Sequence, residues 1–573
     1  MHNVPMHVDL VPNRGSRPTA LLRESYREGK KVRKRTLANL SALPLEQVDA
    51  IRRALRGERL VPVADLFEIV TSHHHGHVLA VRSAIKQLGF ESLVASRPCR
   101  ERDLIVAMVA ARILEPASKL ATQRWWHTTT LPDVFGAADA SEDDLYAALD
   151  WLVSRQEHIE KKLAARHLPN GGLVLYDLSS SYFEGKTCPL AKLGHNRDGK
   201  SGKLQVNYGL LTNAKGCPVA MSVFEGNTGD PTTVLAQVEK LKNSFAIEQL
   251  VLVGDRGMIS QKQINELKQR EGFDWITALR TGAIRKLVDS GQIQLGLFDQ
   301  HNLFEVTHPD FPGERLVACR NPDLALSRAR KRDSLLQATF RDLEKVRGMV
   351  GRGKLKGKDA IGVRIGKVVD KHKVAKHLIL EIREDGFDFR LHEDKVTAEA
   401  ALDGIYVIRT SVSAARLATD DVVRSYKMLS QVERAFRSLK TIDLEIRPIR
   451  HRLEQRVKAH LFLCMLAHYV AWHMIDAWRP LLFCDEDDQA KTTRDPVAPA
   501  KRSPAALAKV HSKTLDDGSP VHSFPTLLKH LSTIVRNACR RTGASPDEPS
   551  FEVFTTPSPT QQRAFDLLKS IHV

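Results

Sequence analysis

The stretch GGLVLYDLSS, residues 171–180, is where the chain changes its hydrophobic period. Upstream, from about residue 78 to 168, apolar residues recur at helical spacing, as in DLIVAMVAARILEP (103–116) and LYAALDWLVSRQEHIEKKLAARH (145–167). From Leu173 to Tyr176 the run is unbroken and follows two glycines, which predicts a strand covered on both faces. Asp177 closes that run. A carboxylate there is costly unless something positive offsets it, which makes Asp177 the first candidate for chemistry.

The strand pattern continues downstream. KLQVNYGLLT (203–212), NAKG and CPVAMSVF (217–224) predict a strand, a tight turn and a strand. DPTTVLAQVEKLKN (230–243) opens a helix, with Asp230 placed to cap it and Pro231 at its first position. QLVLVGDRG (249–257) reads as a second buried strand ending at Asp255, followed by a helix (261–272) and a strand, DWITALR (274–280). This succession predicts a mixed α/β sheet. Residues 282–402 interrupt it with short strands (FEVTHP, ERLVACR, HLILEIRE) and a basic helix-plus-loop, with eleven Lys/Arg against three Asp/Glu between 328 and 358. GIYVIRTS (404–411) returns to strand character.

SYKMLSQVERAFRSLK (425–440) then reads as one helix, mostly buried. Tyr426, Glu433 and Lys440 are spaced by seven, nearly two full turns, so a continuous helix would carry them in one stripe. A long apolar helix (453–475) follows, then a linker to about 505 and a small helical tail. At the other end, residues 14–35 hold nine Lys/Arg against two Glu, with Glu28-Gly29 suggesting a hairpin. That ribbon could sit against phosphates or simply be a solvated charged hairpin. A short amphipathic helix is expected over 45–57. The domains expected are 1–70 (basic hairpin and helix), 71–170 (helical), 171–281, 282–402 (insertion), 403–480 and 481–573 (linker and helical tail).

Bulk composition narrows the class of partner. The 573 residues carry 86 Lys+Arg against 68 Asp+Glu, a formal charge of +18 with a pI near 9.5. That surplus favours a polyanionic partner, nucleic acid before membrane. Seven scattered cysteines without a C-x-x-C pair form a reduced, cytoplasmic pattern. The N-terminus, MHNVPMHVDLVPNRG, has no apolar segment of signal-peptide type, and LFLCMLAHYVAWHMI (461–475) is too short and too interrupted by histidine for a membrane span.

Asp177, Asp255 and Glu433 are three carboxylates that the sheet and its neighbouring helix could bring together. Such a cluster repels itself unless it binds a hard divalent cation, Mg²⁺ or Mn²⁺. Two such ions can activate a water or 3′-hydroxyl and stabilise the leaving oxygen of a phosphodiester. With its strand Asp, hairpin, strand Asp, insertion and helical Glu, the chain resembles the DDE transposases of bacterial insertion sequences, which have an RNase H-like core. The branch it resembles has the signature Tyr, two residues, Arg, three residues, Glu, six residues, Lys. Tyr426, Glu433 and Lys440 fit that register, and Leu429 stands where the pattern has Arg. YDLSSSYFEG, GHNRDGKSGKLQVNYGLL, VFEGNTGDPTT, VGDRGM and RVKAHLFLCMLA share the likeness, which covers roughly residues 75–480.

The resemblance implies an RNase H-like mixed sheet flanked by helices, with 282–402 as a β-rich insertion and an N-terminal DNA-binding region. It implies Asp177, Asp255 and Glu433 as catalytic and metal-binding residues for two Mg²⁺ or Mn²⁺ ions, with Tyr426, Lys440, Arg437 and Arg256 on the DNA end. Arg437, one turn beyond Glu433, is the stand-in for the arginine that Leu429 replaces. The implied activity is binding of terminal inverted repeats, nicking by water, and joining of the freed 3′-OH to double-stranded target DNA, in a homodimer. The rivals are a nuclease or resolvase that cuts without joining, and an inactive transposase-derived DNA-binding protein. Other candidates are weaker: SHHHGH (72–77) reads as a polar turn before a helix, and Glu184 in SYFEG is a possible neighbour of the metals.

Overall fold

The computed structural model describes residues 6–58, 60, 66–299 and 301–572. Met1–Pro5, the start of the stretch read for a signal peptide, lie outside the described residues. The chain divides into two compact units: Met1–His73 with Val535–Thr555, and His74–Ile534 with Thr556–Val573.

In the first unit, β1 (Met6–Asn13), β2 (Ser16–Glu28) and β3 (Lys31–Asn39) form an antiparallel sheet in that order. Arg27 pairs with Val32 and Glu28 with Lys31 across a turn in which Gly29 takes φ +59, a conformation that costs glycine nothing. The helix Leu45–Leu55 buries Val48 against Val8 and Ala20 of this sheet. β4 (Phe67–His74) belongs to a second sheet, completed from the far end of the chain.

The second unit is built on an eight-stranded mixed sheet. Its strands in chain order are β5 (Leu173–Tyr182), β6 (Gln205–Asn213), β7 (Pro218–Glu225), β8 (Leu250–Val253), β9 (Phe273–Ala278), β10 (Leu303–Val306), β11 (Arg315–Arg320) and, after the hairpin β12 (Leu378–Ile382)–β13 (Phe387–Leu391), β14 (Ile405–Thr410). Their order across the sheet is β10-β11-β14-β9-β8-β5-β6-β7. β5, β8 and β9 run parallel, and β6 and β7 pair antiparallel beyond β5. The helix Glu454–Ala477 is apolar on nearly every face and is correspondingly buried, packed against β7 and the helices Gly76–Gln87, Arg100–Leu114 and Glu142–His167. It is the buried helix that its sequence predicts, and no described helix is long and apolar enough to cross a membrane.

Several expectations need correction. Residues 282–402 are not β-rich. Pro322–Gly351 is a 30-residue helix, and Lys358–His372 packs on it through Leu336, Leu343, Val346, Ile361 and Ile365, positions at helical spacing. Moreover β10 and β11 add to the main sheet, because Val317 and Ile408 are direct antiparallel partners. The tail is not simply linker and helix: Val497 is fully buried, and β15 (Val535–Arg541) with β16 (Phe551–Phe554) forms the sheet that includes β4. Asp230 is not a cap, since Gly229 holds that position without a side-chain bond and the Asp230 carboxylate pairs with Arg197.

SHHHGH is not a simple polar turn. His74 ends β4 and donates from Nδ1 to the Ser532 carbonyl (2.9 Å), while His77 is buried in the first turn of the next helix. Burial pushes the His77 imidazole down to about 4, helped by His74 and His75.

Close approach of β6 to β5 depends on Gly209, the partner of Leu178. A Cβ there would lie 2.6 Å from Tyr176 Cε2, in a ring that is fully buried and donates from its hydroxyl to Thr233 Oγ1 (2.9 Å). Gly209→Ala is expected to cost about 1–3 kcal/mol through overpacking. The urea midpoint should fall with the slope of the transition unchanged.

Candidate active site

β5 and β8 pair in parallel through Leu173↔Val251, Val174↔Leu252 and Leu175↔Val253. β8 ends at Val253, so Asp177 and Asp255 each stand two residues beyond the last β5–β8 pair, Asp177 still in its strand and Asp255 just past the end of its own. Asp177 is therefore not at the end of its own strand, as the sequence suggests. It lies within β5, opposite Leu210 of β6, and only its β8 neighbour has stopped. Asp255 is exposed and begins a turn, its Oδ1 accepting from the amides of Gly257 and Met258, both at 2.8 Å.

The third carboxylate arrives on a short amphipathic helix. Val432, Ala435 and Phe436 are buried on one side of Leu429–Arg437, while Glu433, Arg434 and Arg437 are exposed on the other. The buried side packs on β5, and Phe436 meets Tyr208 edge-on at 5.8 Å. Burying residues of that size contributes about 1.5–3 kcal/mol each, ample to dock a nine-residue helix.

The stretch 425–440 is not one buried helix. Thr419–Lys427 and Leu429–Arg437 are separate helices meeting at Met428, and Ser438–Ile442 is a π-helical turn. A stripe predicted for a continuous helix does not survive these changes of period. Tyr426 keeps company with the acids: burial, then Asp255, push its hydroxyl up to about 12, with Glu433 adding to the rise and Arg256 opposing it. Lys440 does not. It is 9% exposed, and its Nζ is 3.0 Å from Asp198 Oδ1, so its charge is committed inside the protein.

Asp198 is the residue that sequence reading missed. Its side chain is 2% exposed, pairs with both Lys440 and Arg447, and accepts from the Tyr182 amide at 3.0 Å. It thereby joins the end of β5 to the segment that follows Glu433. Burial pulls the Lys440 ammonium down from its usual value, partly offset by Asp198. Arg197, next to it, pairs with Asp230 and has a buried Nη1 without a hydrogen-bond partner. The available signal was the Arg-Asp pair inside the Gly-bounded loop GHNRDGKSG (194–202).

Electrostatics tie the acids together. Burial pushes the Asp177 carboxyl up to about 7, and the charges of Asp255 and Glu433 add to the rise, opposed by a bond from the Leu178 amide and by Arg197. Among the described residues none of the three carboxylates makes an ion pair, and their oxygens do not all lie within 4.8 Å of one another. Hard oxygen donors without ion-pair partners, two of which act electrostatically on the third, fit a divalent cation of the Mg²⁺ class. The Glu184 carboxylate lies 3.4 Å from Arg450. Leu429 packs against the core, and Arg437 is exposed with no ion pair among the described residues.

Compared with known families, residues 183–470 match the transposase DDE domain, and residues 10–61 match the N-terminal domain of IS1634 family transposases. Asp255 and Glu433 fall inside the first match, and Asp177 precedes it. Among solved structures, one match is a cryo-EM structure of the piggyBac transposase synaptic complex with hairpin DNA. It has 10% identity and a TM-score of 0.34, and covers 79% of this chain and 77% of that one. No curated protein matches the chain.

Two predictions follow from the charges. Asp198→Ala leaves the buried Lys440 and the half-buried Arg447 without their shared anion and should cost about 3–5 kcal/mol, whereas Lys440→Met leaves Asp198 paired with Arg447 and should cost clearly less; chemical denaturation of both variants checks this. For Asp177, the folded chain holds a proton that the unfolded chain has released between the ordinary 3.8 and about 7. Stability is thus lost as pH rises through that window. In chelator-treated protein, Asp177→Asn should raise the melting temperature at pH 8 and converge with the unsubstituted chain in acid.

Proposed function

The chain belongs to the DDE transposases of insertion sequences, enzymes that cleave DNA and transfer its strands, and we propose that Asp177, Asp255 and Glu433 are its catalytic carboxylates. The observation that carries this reading is the shared level of Asp177 and Asp255 beyond paired parallel strands, with Glu433 acting electrostatically on Asp177. The strand order β7-β6-β5-β8-β9, antiparallel in its first half and parallel in its second, supports an RNase H-like core split between residues 171–281 and 403–480.

Asp177, Asp255 and Glu433 would hold two Mg²⁺ or Mn²⁺ ions. When bound, these supply Lewis-acid stabilisation at the attacking and leaving oxygens and lower the pKa of water. The protein's own side chains bind and orient. Tyr426 stays protonated at neutral pH and is a donor to a phosphate oxygen beside the acids. Arg256 and Arg437 are exposed cations flanking Asp255 and Glu433, suited to the backbone of the DNA end. Lys440 is withdrawn from that list, because Asp198 already holds it. Its role in this reading is to fix the segment after Glu433.

The substrate is the terminal inverted repeats of the element, cut to free a 3′-OH that attacks double-stranded target DNA. Binding two ends implies a homodimer in the DNA complex, in the cytoplasm. Support for DNA contact by the first unit comes from β3, which is exposed along nearly all of its length, and from Lys30 and Lys31, exposed at its turn. The helical region expected over 71–170 and the basic side of Pro322–Gly351 are further candidate DNA surfaces, although Arg332 there is buried against Asp403.

Asp255→Asn and Glu433→Gln should each lower metal-dependent cleavage of terminal-repeat DNA by on the order of 10²-fold or more while DNA binding persists. Unchanged cleavage would sink the site assignment, and cut ends without joined product would favour a nuclease. Arg437→Ala should reduce the salt slope of DNA binding by about 1, and Lys440→Met should leave that slope unchanged.

A further inference from the structure

His167, Cys217 and His473 come from three separate elements. They are the last residue of the Glu142–His167 helix, the residue immediately before β7, and a residue near the end of the Glu454–Ala477 helix. Their ligand-capable atoms all lie within 4.8 Å of one another, the one such His/Cys/Asp/Glu group among the described residues. Cys217 is fully buried and His473 is 8% exposed.

We propose that these three side chains form a binding site for a zinc-class divalent metal, separate from the carboxylates, that clamps the two helices to the start of β7.

Donor chemistry sets the metal class. One sulfur and two imidazole nitrogens suit Zn²⁺ or Co²⁺, whereas Mg²⁺ and Mn²⁺ prefer oxygen, so the two sites sort metals by ligand type. The Cys217 Sγ to His473 Nε2 distance is 3.8 Å. Ordinary zinc–sulfur and zinc–nitrogen bonds in a tetrahedron give an edge of about 3.5 Å, so small side-chain movements complete it.

The surroundings already orient the ligands. Tyr469 Oη is 3.0 Å from His167 Nε2 and steadies that ring. The rings of Tyr469 and Trp472 meet His473 edge-on at 4.8 and 4.9 Å. The turn before β7 is fixed by the Cys217 amide donating to Asn213 Oδ1 at 3.0 Å. Metal ligands held by such outer hydrogen bonds lose little freedom on binding.

Charge and access are also provided for. Burial keeps both imidazoles neutral, so each offers a lone pair, with Arg166 acting in the same direction. Binding replaces the Cys217 S–H bond by a sulfur–metal bond and releases one proton to solvent, leaving a formal charge of +1 on the site. Asp476, one turn after His473 and close enough to act on Cys217, partly offsets that charge while pairing with Arg479 at 3.7 Å. His473, Asp476 and Glu486 line a cavity of 460 Å³, which gives a path from solvent to the His473 side of the cluster.

The test is titration of chelator-stripped, full-length protein with Co²⁺ alone as the spectroscopic probe. One equivalent should produce thiolate-to-cobalt charge-transfer absorption and raise the melting temperature by several degrees, and Zn²⁺ should displace it. Cys217→Ser and, independently, the less buried His167→Gln should lose the absorption while remaining folded by circular dichroism. The double variant Asp177→Asn/Glu433→Gln should retain it, which keeps this site's outcome distinct from that of the carboxylates. No thiolate–cobalt absorption in the unsubstituted chain, or absorption that survives in folded Cys217→Ser or His167→Gln, overturns the proposal and leaves a packed neutral cluster.

Discussion

Parallel pairing of β5 with β8 is the constraint on which the candidate site depends, because register in a sheet is discrete. With Leu175 opposite Val253, the two aspartates leave the paired segment at the same level. A slip of one residue would turn Asp177 into the opposite face and bury its carboxylate against the wrong layer. The register is held from the other side as well, by nine residue pairs between β5 and β6 and by the close seat of Tyr176 over Gly209. The position of one carboxylate is thus decided by packing several residues away.

Glu433 is brought in by a different kind of contact. Its helix is too short to be stable alone, so its position follows from the face that it buries on β5. The buried Asp198 carboxylate secures the chain just after that helix through Lys440 and Arg447, and secures the end of β5 through the Tyr182 amide. Both ends of the arrangement therefore share one anion. A buried anion with two cationic partners is stable only as a set, which makes the segment behave as a unit.

Much of this was legible in the residues. The change of period at Gly171, the two apolar runs ending in aspartate, and the mixed α/β order all follow from local patterning that a strand cannot avoid displaying. The family resemblance also pointed to the three acids that are proposed as catalytic. The β-rich reading of 282–402 failed because its short strands are locally conspicuous, whereas the 30-residue helix buries only a narrow stripe among many charges. The single stripe through Lys440 failed for a related reason: spacing along a chain predicts a shared face only if the helix keeps one period, and here it becomes π-helical.

Local sequence determines which segments are strands and helices and which side chains carry charge, since both depend on near neighbours alone. It does not reveal partners across 242 residues, the separation at which Asp198 meets Lys440. Nor does it reveal that His167, Cys217 and His473 converge from elements so far apart in the chain. Those meetings are decided by how the sheet stacks against its helices. Burial then changes what each group is: a surface-type lysine becomes a structural cation, and an ordinary aspartate becomes a carboxyl that keeps its proton to about pH 7.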